Sequence, residues 1–157
     1  MAFADVITNT KAVLVAAGYE LNDPRHTLAA ECDSGKDRRF TVEAEPVRET
    51  LFRHAIPDNV RTALLKVQLG FYAGGGDAGG PEHGGDMVHV NARAYEASMR
   101  VAGLLEDQHC YDAQNTGIRR QNLRGWDRVS SARRSEVWEV QLEVEWQEPE
   151  KAQAVPS

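Results

Sequence analysis

The residues with the most chemical promise fall in one glycine-rich stretch. Gly74-Gly75-Gly76-Asp77-Ala78-Gly79-Gly80-Pro81-Glu82-His83-Gly84-Gly85-Asp86 runs into a helical pattern. Helix amino termini approached by glycines bind phosphate through backbone N–H groups. The stretch lacks the GxxxxGK[ST] spacing, and no lysine follows it closely, so nothing reaches toward a phosphate. Asp77, Glu82 and Asp86 would repel an anion. His83 and His89 with Glu82 and Asp86 offer metal-ligating atoms, but their spacing fits no standard ligand set. His109-Cys110 sets a base beside a thiol in sequence only. Adjacent residues rarely face each other, and no third group orients the base. His26 and His54 stand alone in polar segments and read as surface residues. Most carboxylates fall on the wet sides of alternating strands, where nothing shifts a pKa toward acid–base work. No catalytic residue, cofactor or metal ligand is expected, and the chain reads as a non-enzyme.

The aromatic and charged residues say more. Trp138, Val140, Leu142, Val144 and Trp146 alternate with Glu139, Gln141, Glu143 and Glu145. Strand side chains point to opposite faces in turn, so one face is buried and the other wet. Trp138 and Trp146 are therefore core residues. Trp126 follows Gly125 in an arginine-rich segment and is the tryptophan read as exposed at an interface. Arg119, Arg120, Arg124, Arg128, Arg133 and Arg134 crowd the approach to that strand, and Glu136, Glu139, Glu143, Glu145, Glu148 and Glu150 follow. One reading is a hairpin pairing opposite charges across its strands. The other is a subunit with a basic and an acidic flank, suited to head-to-tail association.

The elements that must position these residues are legible from periodicity. Residues 5–19 carry Val6, Ile7, Val13, Leu14 and Ala17 at helical spacing, with Gly18 as an end signal. Phe40, Val42 and Ala44 alternate with polar neighbours over residues 38–45, and Pro46 stops that strand. A long strand over residues 60–73 sets Leu65, Val67, Leu69 and Phe71 on one face. A helix starting between Asp86 and Asn91 presents Ala94, Ser98, Val101 and Leu105. Strands over residues 117–126 and 136–147 close the order α-β-β-α-β-β. The fold expected is α+β: an antiparallel four-stranded sheet with two helices packed on one face. One domain over residues 1–148 is expected, with a flexible tail over residues 149–157.

Composition narrows the class. At 157 residues the chain suits a single core. The net charge of −6 disfavours nucleic acid as the main partner, because duplex binding rests on phosphate neutralisation. No apolar run approaches the roughly 20 residues of a membrane span, and no secretory signal is expected at the amino terminus. Cys32 and Cys110 lie far apart and read as reduced thiols of a protein made in the cytosol.

The order of elements and several short motifs resemble tailed-bacteriophage tail terminators and related neck proteins. The resemblance runs through an Arg-Phe-x-Val strand at Arg39–Val42 and a strand entering a Gly-Gly-Gly-Asp loop over residues 64–77. It continues through Asn91-Ala92-Arg93-Ala94, Asn115-Thr116-Gly117-Ile118-Arg119 and Val137-Trp138-Glu139-Val140. It implies a virion protein without enzymatic activity, assembled in the host cytoplasm. Such proteins form a hexameric ring that caps the tail tube, stops its polymerisation and meets the head-side connector, with DNA only passing through the lumen. On that basis the contact residues expected are Gly74, Gly75, Gly76, Asp77 and Asp86 of the loop. Arg119, Arg120, Arg124, Trp126, Arg128, Arg133 and Arg134 of the basic segment join them. A head-tail stopper or tail-completion protein is the alternative within the class. A small ligand- or metal-binding domain using the glycine loop is the alternative outside it.

Overall fold

The computed structural model describes residues 3–46, 60–72, 87–107, 118–131 and 135–147. Helix α1 (Phe3–Ala16) turns Val6, Thr10, Val13 and Leu14 inward, the spacing of one helical face. The Thr10 hydroxyl donates to the Val6 carbonyl at 2.8 Å, which satisfies it inside the core. The helix ends where its glycine predicts. Gly18 takes φ +96°. Its N–H meets the Val15 carbonyl and the Tyr19 N–H meets the Leu14 carbonyl, both at 3.1 Å. That double closure needs a residue at ease in the left-handed region.

Two small elements follow that the residue pattern does not announce. β1 (Glu20–Leu21) is a two-residue strand, and α2 (Leu28–Asp33) is a short helix. Thr27 caps α2 by accepting from the Ala30 N–H at 3.2 Å. Then come β2 (Arg39–Pro46), β3 (Val60–Tyr72), α3 (Met87–Glu106), β4 (Ile118–Ser131) and β5 (Ser135–Gln147). α3 buries Ala94, Ser98, Val101 and Leu105, the positions its periodicity selects. The class is α+β, as expected.

The strands form one sheet in the order β1-β2-β3-β5-β4. β1 lies parallel to β2, and every other pair is antiparallel. The expected four antiparallel strands are thus corrected to five in a mixed sheet, with three helices among the described residues. Two residues are too few to show a strand's period, which is why β1 escapes the pattern. β3 and β5 sit at the centre. Leu65, Val67, Leu69, Val140, Leu142 and Val144 alternate onto a face wholly buried with α1 and α3. Each such side chain contributes about 1.5–3 kcal/mol by leaving water.

The opposite face carries polar ladders. Lys66 donates to Glu45 at 3.1 Å and Gln68 to Glu139 at 3.2 Å. At one end α2 covers this face, with Leu28 and Cys32 packed on Val137. Val137 pairs with Gly70, and a Cβ at Gly70 would run into Cys32 Sγ. The absence of a side chain there is what lets α2 sit down on the sheet. The two expected helices, α1 and α3, do share one face, and the additional α2 lies on the other. Burial pushes the Cys32 thiol up to about 12, so it stays protonated and serves packing. No described helix is long and apolar enough to cross a membrane.

Candidate interaction surface

β4 is an edge strand, and its pairing with β5 slips three times. The shifts fall between Ile118 and Arg120, Leu123 and Gly125, and Arg128 and Ser130. Bulges of this kind twist an edge and re-aim its side chains. They also erase strict alternation, so the strand runs to Ser131, beyond the end at residue 126 that the pattern suggests. Arg124 sits at a bulge and makes a two-pronged ion pair with Glu143, at 3.0 and 3.1 Å. Arg120 stands opposite Glu145 in the register. The hairpin thus pairs opposite charges across its strands at Arg124. Arg128 is exposed, and its backbone N–H donates to Asp127 Oδ1 at 2.8 Å.

Trp126 differs from the exposed residue expected. Opposite Val140 in the register, it faces the helices and is half-buried. Its Nε1 donates to Ser98 Oγ at 2.7 Å, and Ser98 donates in turn to the Tyr95 carbonyl at 3.0 Å. Its ring lies 4.8 Å from Tyr95 and 5.9 Å from Trp138. Trp138 and Trp146 are buried, as the alternation requires. What reaches the surface instead is the helix side of this cluster. Tyr95 and Met99, one turn apart on α3, each keep 47% of their surface exposed, and Val129 on β4 keeps 50%. Side chains four apart share a helix face, so Tyr95 and Met99 form one apolar strip beside the aromatic cluster. The spacing of α3 could have shown this strip, because Tyr95 and Met99 fall off its buried face.

The acidic flank is also placed differently. β5 lies inside the sheet between β3 and β4, so Glu139, Glu143 and Glu145 line a sheet face and form no edge. Glu136 is buried on the helix side, accepting from Asn91 Nδ2 at 3.1 Å and Trp138 Nε1 at 3.0 Å. The acidic rim is on β2, where Glu43 and Glu45 are exposed. Gly74, Gly75, Gly76, Asp77, Asp86, Arg133 and Arg134 lie outside the described residues, as do His54, His83, His109 and Cys110. The side chains of Arg119 and Arg120 are likewise outside them. His26 is exposed, with Nε2 3.9 Å from Glu31 Oε1. Among the described residues no three His, Cys, Asp or Glu side chains are grouped to hold a metal.

One polar clamp braces this architecture. Asp37, in the turn before β2, accepts from Arg93 Nη1 and Nη2 at 2.7 Å each and from the Tyr72 N–H at 2.8 Å. Arg93 also donates to the Tyr72 carbonyl at 3.0 Å and lies over the Phe71 ring at 5.6 Å. Burial pushes the Asp37 carboxyl up, but the Arg93 and Tyr72 hydrogen bonds outweigh it and hold it below its ordinary value. The clamp ties α3 to the end of β3 and is structural. No protein-family model matches the sequence, and no curated protein matches it.

Proposed function

We propose that this chain is a virion structural subunit of the tail-terminator type, a ring-forming adaptor between tail tube and head-side connector. The observation that carries the reading is the surface where α3 meets the edge strand β4. It combines Tyr95, Met99 and the partly exposed Trp126 with Arg128, which stands opposite Trp138 on the same side of the sheet. Aromatic residues, methionine and arginine are the types enriched where proteins meet, and exposed apolar clusters rimmed by charge mark contact sites. The α-β-β-α-β-β order, with β1 and α2 as additions, supports the same reading through the resemblance drawn from the motifs. The net charge of −6 suits a lumen through which DNA passes without phosphate contacts to hold it.

The test is electron microscopy of the purified protein, alone and added to polymerising tube subunits. Rings at tube ends, with tubes kept short by the wild type and lengthened by Tyr95→Ala/Met99→Ala, are the expected result. Tubes of unchanged length with no density at their ends would sink the reading.

A further inference from the structure

The sheet edge opposite β4 carries a cleft of about 490 Å³, within the usual size of small-molecule sites. It forms because β1 pairs only Glu20 with Arg39 and Leu21 with Phe40. From Thr41 onward no described strand lies beside β2. The cleft wraps around the edge and takes its walls from both sides of the sheet. Val42 stands opposite the buried Val67 on the helix side, and Glu43 opposite Lys66 on the polar side. Lys11 of α1 lines it from the helix side, and Asn22 from the loop that leads into α2 on the polar side. Asn22 is only 4% exposed. Its Nδ2 donates to the His26 carbonyl at 2.9 Å and the Asp23 carbonyl at 3.3 Å. Two carbonyl partners fix which end of the amide is the nitrogen. Oδ1 therefore turns away from that loop, and no described group donates to it. A buried acceptor without a donor is costly, so the cleft is suited to a guest that brings N–H groups.

The charges around the cleft narrow the guest further. Glu31 holds Lys36 at 2.6 Å and faces His26 at 3.9 Å. Asp23 holds Arg25 at 2.8 Å, and Lys66 holds Glu45 at 3.1 Å. Lys11 and Glu43 are the charged residues of the lining that make no ion pair among the described residues. They lie on opposite sides of the sheet edge, and Leu21 and Val42 add apolar wall. We propose that the cleft binds a small zwitterion, a free amino acid or a short peptide. Its ammonium meets Glu43 and Asn22 Oδ1 on the polar side, and its carboxylate meets Lys11 on the helix side. An ammonium carries three donors and no acceptor, so one group serves the Glu43 carboxylate and the Asn22 oxygen together. A neutral amide would satisfy Asn22 and leave both charges unmatched. A simple anion would satisfy Lys11 and be repelled by Glu43, and a simple cation the reverse. Such a site is independent of ring formation.

Thermal unfolding and calorimetric titration of the full chain test the site, with L-leucine and the dipeptide alanyl-leucine as probes. At least one is expected to raise Tm as its concentration rises, because a ligand of the native state alone adds stability. Which of the two acts separates the free amino acid from the peptide. N-acetylating the probe removes its ammonium, and amidating it removes its carboxylate. Either change is expected to weaken binding at least about tenfold, the scale of one hydrogen bond to a charged group. Glu43→Gln and Lys11→Gln are expected to weaken the free probe by a similar factor. Glu43→Gln should also bind the free and acetylated probes alike, and Lys11→Gln the free and amidated ones. Glu43 is exposed and Lys11 half-buried, so both variants are expected to fold, which circular dichroism checks. The site is overturned if neither probe binds at millimolar concentration, if capped probes bind as tightly as free ones, or if neither variant changes Kd. Tube capping is read separately and is untouched by either outcome.

Discussion

At Gly70 a single added carbon would do disproportionate damage. A Cβ there meets Cys32 Sγ, and Leu28 Cγ at 3.0 Å, so Gly70→Ala overpacks the seat of α2. The expected loss is about 1–3 kcal/mol, measured by urea unfolding. Cys32→Ala in the same chain should recover part of it, a coupling that a double-mutant cycle reads directly. Cys32 itself, with its thiol pushed up to about 12 by burial, should resist alkylation at neutral pH until the protein opens. Mass spectrometry of the peptide carrying Cys32 checks this. Asp37 sets a pH dependence. The Arg93 and Tyr72 hydrogen bonds, working against burial, lower its carboxyl below the ordinary 3.8. A depressed acid contributes stability that is present above the unfolded value and lost as pH falls through the folded one. Asp37→Asn should therefore cost roughly 3–4 kcal/mol at neutral pH, the lower part of the range for a broken buried pair. The lower part applies because the Asp37 side chain keeps 21% of its surface exposed. The gap between variant and wild type should narrow as the solution is taken below the folded pKa.

Between elements, the contact most open to test is the one between α3 and β4. The Ser98 hydroxyl is buried and receives the Trp126 indole N–H at 2.7 Å. Ser98→Ala leaves that donor without its partner, which costs about 1–3 kcal/mol for a buried group. Because Trp126 is half-buried, the lower part of that range is expected, with a red shift in tryptophan fluorescence and faster amide exchange along β4. Unchanged exchange there would show that the β4–β5 pairing holds the edge without α3. β4 is also the element least visible in the residue pattern. Its three register shifts each break period two, so the stretch from Asp127 to Ser131 no longer reads as strand. Helix α3 shows the opposite case: Ala94, Ser98, Val101 and Leu105 share a face in sequence and in the structure.

For the whole molecule, the two sheet edges expose charges of opposite sign, Glu43 on β2 and Arg128 on β4, while Glu45 and Arg124 are held by Lys66 and Glu143. An assembly held by such edges should weaken with salt. Raising ionic strength from about 0.01 to about 1 M shortens the screening length from roughly 30 to roughly 3 Å. Sedimentation across that range is expected to show the heavy species dissolving into monomer. A mass that holds or grows with salt would point to the apolar strip of Tyr95 and Met99 as the stronger contact.

The sequence by itself determined the α+β class, α1 with its glycine stop, the buried faces of β3, α3 and β5, and the core positions of Trp138 and Trp146. These are local statements, because a period of 3.6 or 2 is written into neighbouring residues and burial follows from it. Only the tertiary structure decided that β5 lies inside the sheet, that Glu136 faces the core and that the acidic rim is Glu43 and Glu45 on β2. It alone placed α2 on the far face over Gly70 and bent Trp126 inward to Ser98. Strand order and cross-strand neighbours join residues far apart in the chain, and no local period records which strand ends beside which.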